Sequence, residues 1–353
     1  MGFKSLNHIY HLLEQYFSQD TKEAWSCASL VTRSGSSYRW PGAMMMISPW
    51  GKSFGLVSGG CLESDVIRRA QKVWQMGQSD YTVYDTADEE SFAASLGLGC
   101  NGKIGILIQA ISAKHHELLS TLYQRLQQKQ ASYLLQCYQS PIADYINHWV
   151  LLDEHGEVIM TTHAEVTSHL TSGLYPIKKQ LPDKQKVQVV EDNHWAIAKI
   201  TPPVQLWVLG GGLDAEPVVN IASTLGWIVT VVDHRVGYAR ATNFVNAKSI
   251  LDLPPEQAAK HAGFDQVDAF ICMTHNKIID AEWMKQLADV PSAKYIGLLG
   301  PQSRKIEVME RAGLTDDFSY KVDGPAGTDN IRGDLPESIA LSIITQCHCA
   351  VQR

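Results

Sequence analysis

The chain has 353 residues, of which 45% are hydrophobic and 19% charged, which is the length and composition of a globular protein of about two domains. The net charge is −7 and the basic residues form no run that would bind a phosphate backbone, so nucleic acid is excluded as the expected partner. Seven scattered cysteines, a start without the pattern of a secretory signal, and no apolar run near the ~20 residues that span a bilayer predict a cytoplasmic protein without membrane association.

The first predicted elements form an α+β domain. Apolar residues at helical spacing predict an amphipathic helix from Leu6 to Phe17, and two strands follow, AWSCASLVT and GAMMMIS, separated by a glycine- and serine-rich loop from Arg33 to Gly42. A helix is predicted after Cys61, then the strands YTVYDT and GKIGILIQAI, and then a charged helix from Ala113 to Gln130.

A strand-rich segment from 132 to 202 comes next, with YLLQCY, HWVLLDEHGEVIM and HWAIAKITP as strands and a hairpin turn at His155-Gly156. We expect these strands to complete the sheet of the first domain, which then covers residues 1–202. From residue 203 to 353 strands and helices alternate, which predicts a Rossmann-like, doubly wound parallel sheet. The fold class is therefore α/β.

The segment VQLWVLGGGLDAEPVVNIASTLGWIVTVVD carries a G-x-G-x-x-A pattern, with Gly210, Gly212 and Ala215 between a strand and a helix. Such glycines let backbone N–H groups approach a phosphate, and an acid about 20 residues later, here Asp233, can accept ribose hydroxyls. Two interpretations remain open: a nucleotide site, or glycines that serve packing and an Asp233 that caps the end of its strand.

Polar residues also follow the later strands of this domain. His275 in MTHNKIID and Arg304 in GLLGPQSRKIEVM should lie near the carboxyl edge of the sheet, where open α/β sheets bind ligands. The alternative is structural, with Thr274 and Ser303 capping helices and His275 half-buried in a loop.

In the first domain, SGGCLE places Cys61 behind two glycines at the start of a helix. The positive end of the helix dipole and free N–H groups stabilise a thiolate there, although the nearby carboxylates of Glu63 and Asp65 oppose this. The alternative for Cys61 is a small buried residue behind a helix cap at Ser58.

Two further loops strengthen the functional interpretation. Cys100 lies on the glycine-rich turn LGLGCNG, and the loop TRSGSSYRWPGA supplies Ser36, Ser37 and Arg39. Three loops of this kind in one domain indicate a single built site.

At these residues the sequence resembles the XdhC/CoxI family, the accessory proteins that mature molybdenum hydroxylases such as xanthine dehydrogenase. The motifs that carry the resemblance cover nearly the whole chain: GSSYRWPGAMMMIS, GLVSGGCLESDV, LGLGCNGKIGILI, LGGGLDAEPVVNIASTLGWIVTVVDHR, MTHN, YIGLLGPQSRK and GPAGTDN with LPESIALSI.

The resemblance implies a chaperone for the molybdenum cofactor, either molybdopterin or its dinucleotide form. Such a protein presents the cofactor to a cysteine desulfurase for sulfuration, delivers it to the apo-form of a molybdenum hydroxylase, and forms a homodimer. Cys61 is then the first candidate for a transient molybdenum ligand or sulfur relay, and Cys100 the second. Carried over by motif, the residues that frame the first thiol are Ser58, Gly59, Gly60 and Glu63, and those that line the Rossmann cleft are Gly210, Gly212, Asp233, His275 and Arg304.

Three positions depart from the family pattern, because Met44, Asn101 and Leu213 stand where an arginine, a glycine and a histidine are usual. The G-x-G-x-x-A turn and Asp233 keep two other functions open beside a maturation factor without turnover of its own. One is an NAD(P)-dependent oxidoreductase, for which His275 is the candidate proton donor. The other is a Rossmann half that serves only dimerisation.

Overall fold

The computed structural model describes residues 8–19, 24–85, 102–163, 185–190, 192–314, 316–331 and 333–352, and its backbone divides at Pro202-Pro203 into an N-terminal and a C-terminal unit. The helices described in the N-terminal unit are α1 Ile9–Phe17, α2 Glu63–Met76 and α3 Ala113–Gln127, with a 3-10 turn at Ala143–Tyr145. Its described strands are β1 Ser26–Gly35, β2 Met44–Ile47, β3 Ser53–Gly55, β4 Asp80–Asp85, β5 Gly102–Ala110, β6 Ser132–Gln139, β7 Trp149–Leu152, β8 Val158–Thr161, β9 Gln185–Val190 and β10 Asn193–Ile200.

The first sheet of this unit is antiparallel, with the strand order β3-β2-β1-β5-β4. Helix α2 packs on one face, where its apolar side chains Val66, Ala70 and Val73 join Leu30 and Ile106 of the sheet in one buried cluster. This packing follows from the helical spacing of those residues, because they line the same side of α2. One loop connects β1 to β2 of this sheet, and another leads from β3 into α2.

The strands after residue 132 do not extend the first sheet, so that expectation is wrong. They form a second antiparallel sheet in the order β8-β7-β6-β10-β9. The physical reason is visible in β1 and β6, whose consecutive residues are buried on both faces, as stacked sheets require. Gln136 donates a hydrogen bond to Ser29 of the first sheet at 2.9 Å. The predicted hairpin turn is present between β7 and β8, where Gly156 has a φ of 84°.

The C-terminal unit contains the described strands β11 Gln205–Leu209, β12 Ile228–Asp233, β13 Ser249–Asp252, β14 Ala269–Cys272, β15 Tyr295–Leu298 and β16 Val322–Asp323. Its described helices are α4 Ala215–Thr224, α5 Pro255–Ala258, α6 Lys277–Leu287, α7 Gln302–Ala312, α8 Asp316–Ser319 and α9 Pro336–Val351, with a 3-10 turn at Phe264–Gln266. All neighbouring strands are parallel, in the order β13-β12-β11-β14-β15-β16. The predicted α/β fold with a Rossmann-like C-terminal sheet is therefore confirmed.

Helices cover both faces of this parallel sheet. Side chains of α4 and α9 lie in the buried cluster on one face, and side chains of α6 and α7 lie in the cluster on the other. The strand order reverses between β11 and β14, so the crevice that opens at their carboxyl ends is the position where doubly wound sheets bind ligands. The described helices include none with the length and apolar character required to cross a membrane.

Candidate functional site

The loop that carries Cys61, residues 56–62, is held by two buried side chains and is called the thiol loop below. The carboxylate of Glu63, in the first turn of α2, accepts hydrogen bonds from the backbone N–H of Ser58 at 2.8 Å and from its hydroxyl at 2.6 Å. It also accepts the N–H of Leu62 at 3.1 Å, and the Ser58 hydroxyl oxygen receives the N–H of Gly60 at 3.3 Å. Glu63 and Ser58 are 9% and 6% exposed, so these bonds are shielded from water.

Cys61 itself is exposed, which rules out the alternative of a small buried residue. Gly60 has a φ of 104°, and apart from its chain neighbours no atom of the described residues lies within 4 Å of the Cβ that another residue would carry there. Among the residues that the structure describes, the space beside Gly60 is therefore open. The expected free N–H groups are partly absent, because those of Ser58, Gly60 and Leu62 already bond to Ser58 and Glu63.

The loop between β1 and β2 meets the thiol loop. The ring of Tyr38 lies against Gly59, where an added Cβ would be 3.4 Å from the ring. Ser37 donates its hydroxyl to the carbonyl of Arg39 at 2.6 Å, which folds this loop on itself. Ser36 is exposed, and its carbonyl closely approaches Gly102. Two of the three predicted loops are thus neighbours; Cys100 and Asn101 lie outside the described residues.

Asp65, in the first turn of α2, forms a charge network that was not predicted as part of the site. Its carboxylate accepts hydrogen bonds from Arg69 at 2.8 Å, from Tyr84 at 2.7 Å and from Arg68. Burial favours the neutral carboxyl, but the hydrogen bonds from Arg69 and Tyr84 outweigh it and lower the pKa of Asp65 to about 2. The spacing of Asp65 and Arg69, four residues apart on one helix, was the available signal.

In the C-terminal unit, the glycine-rich loop after β11 is tightly packed. Gly210 has a φ of 119°, and a Cβ there would lie 2.6 Å from the carbonyl oxygen of Met273 in the next loop of the sheet edge. Gly212 is similarly close to the carboxylate of Asp214. Ala215 begins α4 and is fully buried in the core, so its small size serves the packing of the helix.

Asp233, the predicted ribose ligand, is buried and engaged within the protein. Its carboxylate accepts the N–H of Gly211 at 2.7 Å and a two-point contact from Arg235 at 2.9 and 2.8 Å. Burial raises the pKa of Asp233, but the bonds from Arg235 and Gly211 reverse the direction and lower it. Ala239 also covers Gly211 and leaves no room for a Cβ there. The buried carboxylate of Asp233 would therefore have to leave these partners to accept a ribose hydroxyl.

His275 lies at the carboxyl edge beside the glycine-rich loop. Its Nε2 is 2.7 Å from the carboxylate of Asp214, the residue before α4, and its side chain is 62% exposed. His275 has a φ of 59°, which is uncommon for a residue with a side chain and indicates a backbone held by its surroundings. The preceding residue, Thr274, donates to the buried Asp280 at 2.5 Å.

Arg304 forms an ion pair with Asp280. Its guanidinium donates to the Asp280 carboxylate at 2.5 Å, and the two side chains are 16% and 1% exposed. This pair joins α6 to α7 and supports the loop of His275 through Thr274. These contacts give Arg304 a structural partner in Asp280. Its place in the lining of the cleft stays a prediction.

The two described departures from the family pattern occupy different environments. Met44 is 2% exposed in β2, so it packs in the first sheet. Leu213 is 73% exposed on the glycine-rich loop. Within the described ranges, no group of three or more His, Cys, Asp or Glu side chains is arranged to hold a metal ion.

Comparison with known proteins gives matches over both units. Residues 18–85 match the XdhC and CoxI family, and residues 206–347 match the XdhC Rossmann domain. A curated relative from Bacillus subtilis (strain 168), named as a probable xanthine dehydrogenase subunit, is 27% identical over 337 residues, which are 96% of each chain. A crystal structure of a xanthine dehydrogenase from Bacillus halodurans has a TM-score of 0.77 and 26% identity, with 98% of this chain and 96% of that chain covered.

Proposed function

Since the chain belongs to the XdhC and CoxI family, we propose that it is an accessory protein of a xanthine dehydrogenase-type molybdenum hydroxylase. The names of the relatives in B. subtilis and B. halodurans support this assignment, because both mention xanthine dehydrogenase and both matches cover at least 96% of this chain. The matched regions include both the thiol loop and the glycine-rich loop.

The task we assign to it is to bind the molybdenum–pterin cofactor, as molybdopterin or its dinucleotide form, before the hydroxylase receives it. The observation that carries this proposal is the exposed Cys61, which lies on a loop anchored by the buried Glu63 and Ser58. An anchored loop holds a thiol in one place, and the adjacent Gly60 adds no side chain beside it.

A single protein thiol is sufficient for this cargo. Molybdenum reaches the protein already bound by the dithiolene of its pterin, so a complete set of protein ligands is not needed. Soft thiolates are suitable ligands for metals that prefer sulfur.

Two further parts of the proposal concern partners. A cysteine desulfurase would supply the sulfur while the cofactor is held at Cys61, and the apo-hydroxylase would then accept the cofactor. A homodimer is proposed on the family resemblance alone.

The alternative, an NAD(P)-dependent oxidoreductase, is less well supported. Asp233 is 1% exposed and already bonded to Gly211 and Arg235, which leaves it unable to accept ribose hydroxyls without rearrangement. The pairing of His275 with Asp214 is compatible with a proton donor, so the case against the oxidoreductase depends on Asp233.

The function is tested by reconstitution. Apo-xanthine dehydrogenase is incubated with a limiting amount of molybdenum–pterin cofactor, with and without the purified protein, and its molybdenum content and rate of xanthine oxidation are measured. The proposal predicts that the protein raises both. Equal activity in the two samples, together with tight binding and oxidation of NAD(P)H by the protein, would favour the oxidoreductase instead.

A further inference from the structure

A cavity of about 280 Å³ opens in the N-terminal unit beside the loop between β1 and β2. We call it the basic cavity, because the residues that line it include Arg39, Lys199 and His8. Arg39 comes from the β1–β2 loop, Lys199 from β10, and His8 from the residue that caps α1. Three separate elements of the unit thus bring basic groups to one place.

The charges in this cavity favour an anion. Burial lowers the pKa of Arg39, and the nearby Tyr38 and the Glu63 carboxylate oppose this shift, so the guanidinium remains protonated at neutral pH. Burial, with the neighbouring His11 and Arg39, lowers the pKa of His8 to about 4, so this imidazole is neutral at pH 7. Its Nδ1 accepts the N–H of Tyr10 at 3.2 Å, which leaves Nε2–H as a donor. Two cations and a neutral donor are a suitable set for a phosphate.

Two aromatic residues are also part of the lining of the basic cavity. Tyr38 and Trp40 both line it, yet they are 76% and 59% exposed. The guanidinium of Arg33 lies 3.8 Å from the centre of the Trp40 ring and fixes one face of the indole, so the exposed area belongs to the rest of the ring. An exposed, fixed aromatic ring is a surface on which a planar heterocycle can stack.

The size of the cavity limits what enters it. Ligand pockets have about 300–1,000 Å³, so a cavity of about 280 Å³ is at the small end of that range and has room for part of a molecule as large as a pterin cofactor. Tyr38 connects the cavity to the thiol loop, because its ring contacts Gly59, two residues before Cys61. A ligand that extends out of the cavity past Tyr38 is therefore directed to the loop of the thiol.

We infer that the basic cavity binds the phosphate end of the molybdenum–pterin cofactor, with Arg39 and Lys199 at the phosphate and the ring of Trp40 against the heterocycle. This inference rests on the proposed function, since it names how the same cargo is held. It adds His8, Tyr38, Trp40 and Lys199 to the binding residues.

The first experiment uses inorganic pyrophosphate as a probe of the cavity, so that it does not depend on the cofactor. Titration calorimetry compares the wild type with Lys199→Met, which removes the charge but keeps the length of the side chain, and with Lys114→Met, a control at an exposed lysine of α3. We expect the wild type and Lys114→Met to bind alike, and Lys199→Met to bind about tenfold more weakly, as loss of a charged hydrogen bond predicts. Equal binding by all three proteins would overturn the inference.

The second experiment measures retention of the molybdenum–pterin cofactor by the wild type, Lys199→Met and Trp40→Leu after gel filtration. We expect both variants to retain less than the wild type. Full retention by both variants would refute the inference while leaving the proposed function intact. No retention by the wild type would instead refute the proposed function, and the pyrophosphate result would still decide whether the cavity is a phosphate site.

Discussion

Glu63 folds back from the first turn of α2 onto Ser58, and its carboxylate receives both the backbone N–H and the hydroxyl of that residue, at 2.8 and 2.6 Å. The same carboxylate receives the N–H of Leu62, so one buried side chain closes the loop on both sides of Cys61. Glu63 is thus a positioning residue: it fixes the segment that presents the thiol.

Glu63→Gln replaces one acceptor oxygen by an amide that faces N–H donors. We expect the free energy of unfolding to fall by about 2 kcal/mol, since a buried donor loses its partner, and retention of the molybdenum–pterin cofactor to fall with it. Urea unfolding measures the loss of stability, and hydrogen exchange at the Leu62 amide measures how far the loop is loosened. Ser64→Ala, at the exposed neighbouring position, is the control and should change neither. Unaltered exchange at Leu62 in Glu63→Gln would show that the carboxylate does not hold the loop.

Asp65→Asn tests the charge network in the first turn of α2 through the pH dependence of the free energy of unfolding. The folded pKa of Asp65, about 2, is below its ordinary value, so its stabilisation is complete above about pH 4 and is lost as the pH falls towards 2. We expect the variant to be less stable than the wild type by at least about 2 kcal/mol at pH 6, and the difference to shrink at pH 3. Urea unfolding at the two pH values checks this. A difference that is the same at both would mean that the carboxylate is not ionised in the network.

Asp233→Ala distinguishes a structural carboxylate from a ribose ligand. The substitution leaves the Gly211 N–H without its acceptor and Arg235 without its ion pair, and we expect a loss of about 2–3 kcal/mol in the free energy of unfolding. Asp252→Ala, at the exposed paired position on β13, is the matched control and should cost less. Titration with NADH and NADPH should give no saturable binding by the wild type. Micromolar binding that Asp233→Ala abolishes would restore the nucleotide interpretation.

His275→Gly and His275→Ala together measure the backbone strain at the sheet edge. Both remove the contact with Asp214, so their difference reports the cost of a φ of 59° for a residue with a Cβ, reduced by the larger unfolded-state entropy of glycine. Because glycine adopts this conformation freely and alanine does not, we expect His275→Gly to be more stable than His275→Ala by about 1 kcal/mol. Thermal unfolding of the two variants provides the comparison. Alanine at equal or higher stability would show that the loop relaxes out of this conformation.

The sequence was most informative where local spacing determines the structure. The run from Gly210 to Ala215 predicted a tight turn and the start of α4, and alternating strands and helices predicted the parallel sheet, because both depend on neighbouring residues. The edge strands β13 and β16 were not predicted, since four and two residues carry too little pattern.

The remaining features depend on contacts between distant parts of the chain. The residue composition predicted strands after residue 132, but it does not specify their partners, so the second sheet was missed. The bond of Arg304 to Asp280 joins two helices, and Lys199 reaches the basic cavity from a strand far along the chain from Arg39. Such pairings follow from the completed fold and leave no local signature.

The most direct measurement is the amount of molybdenum and pterin that copurifies with Cys61→Ser compared with Cys349→Ser. Both cysteines are exposed and free, so the two variants make the same chemical change at different places. With circular dichroism confirming the fold of each, we expect Cys349→Ser to retain as much cofactor as the wild type and Cys61→Ser to retain several times less. Equal retention by the two variants would contradict the assignment of Cys61 as the thiol that receives the cofactor.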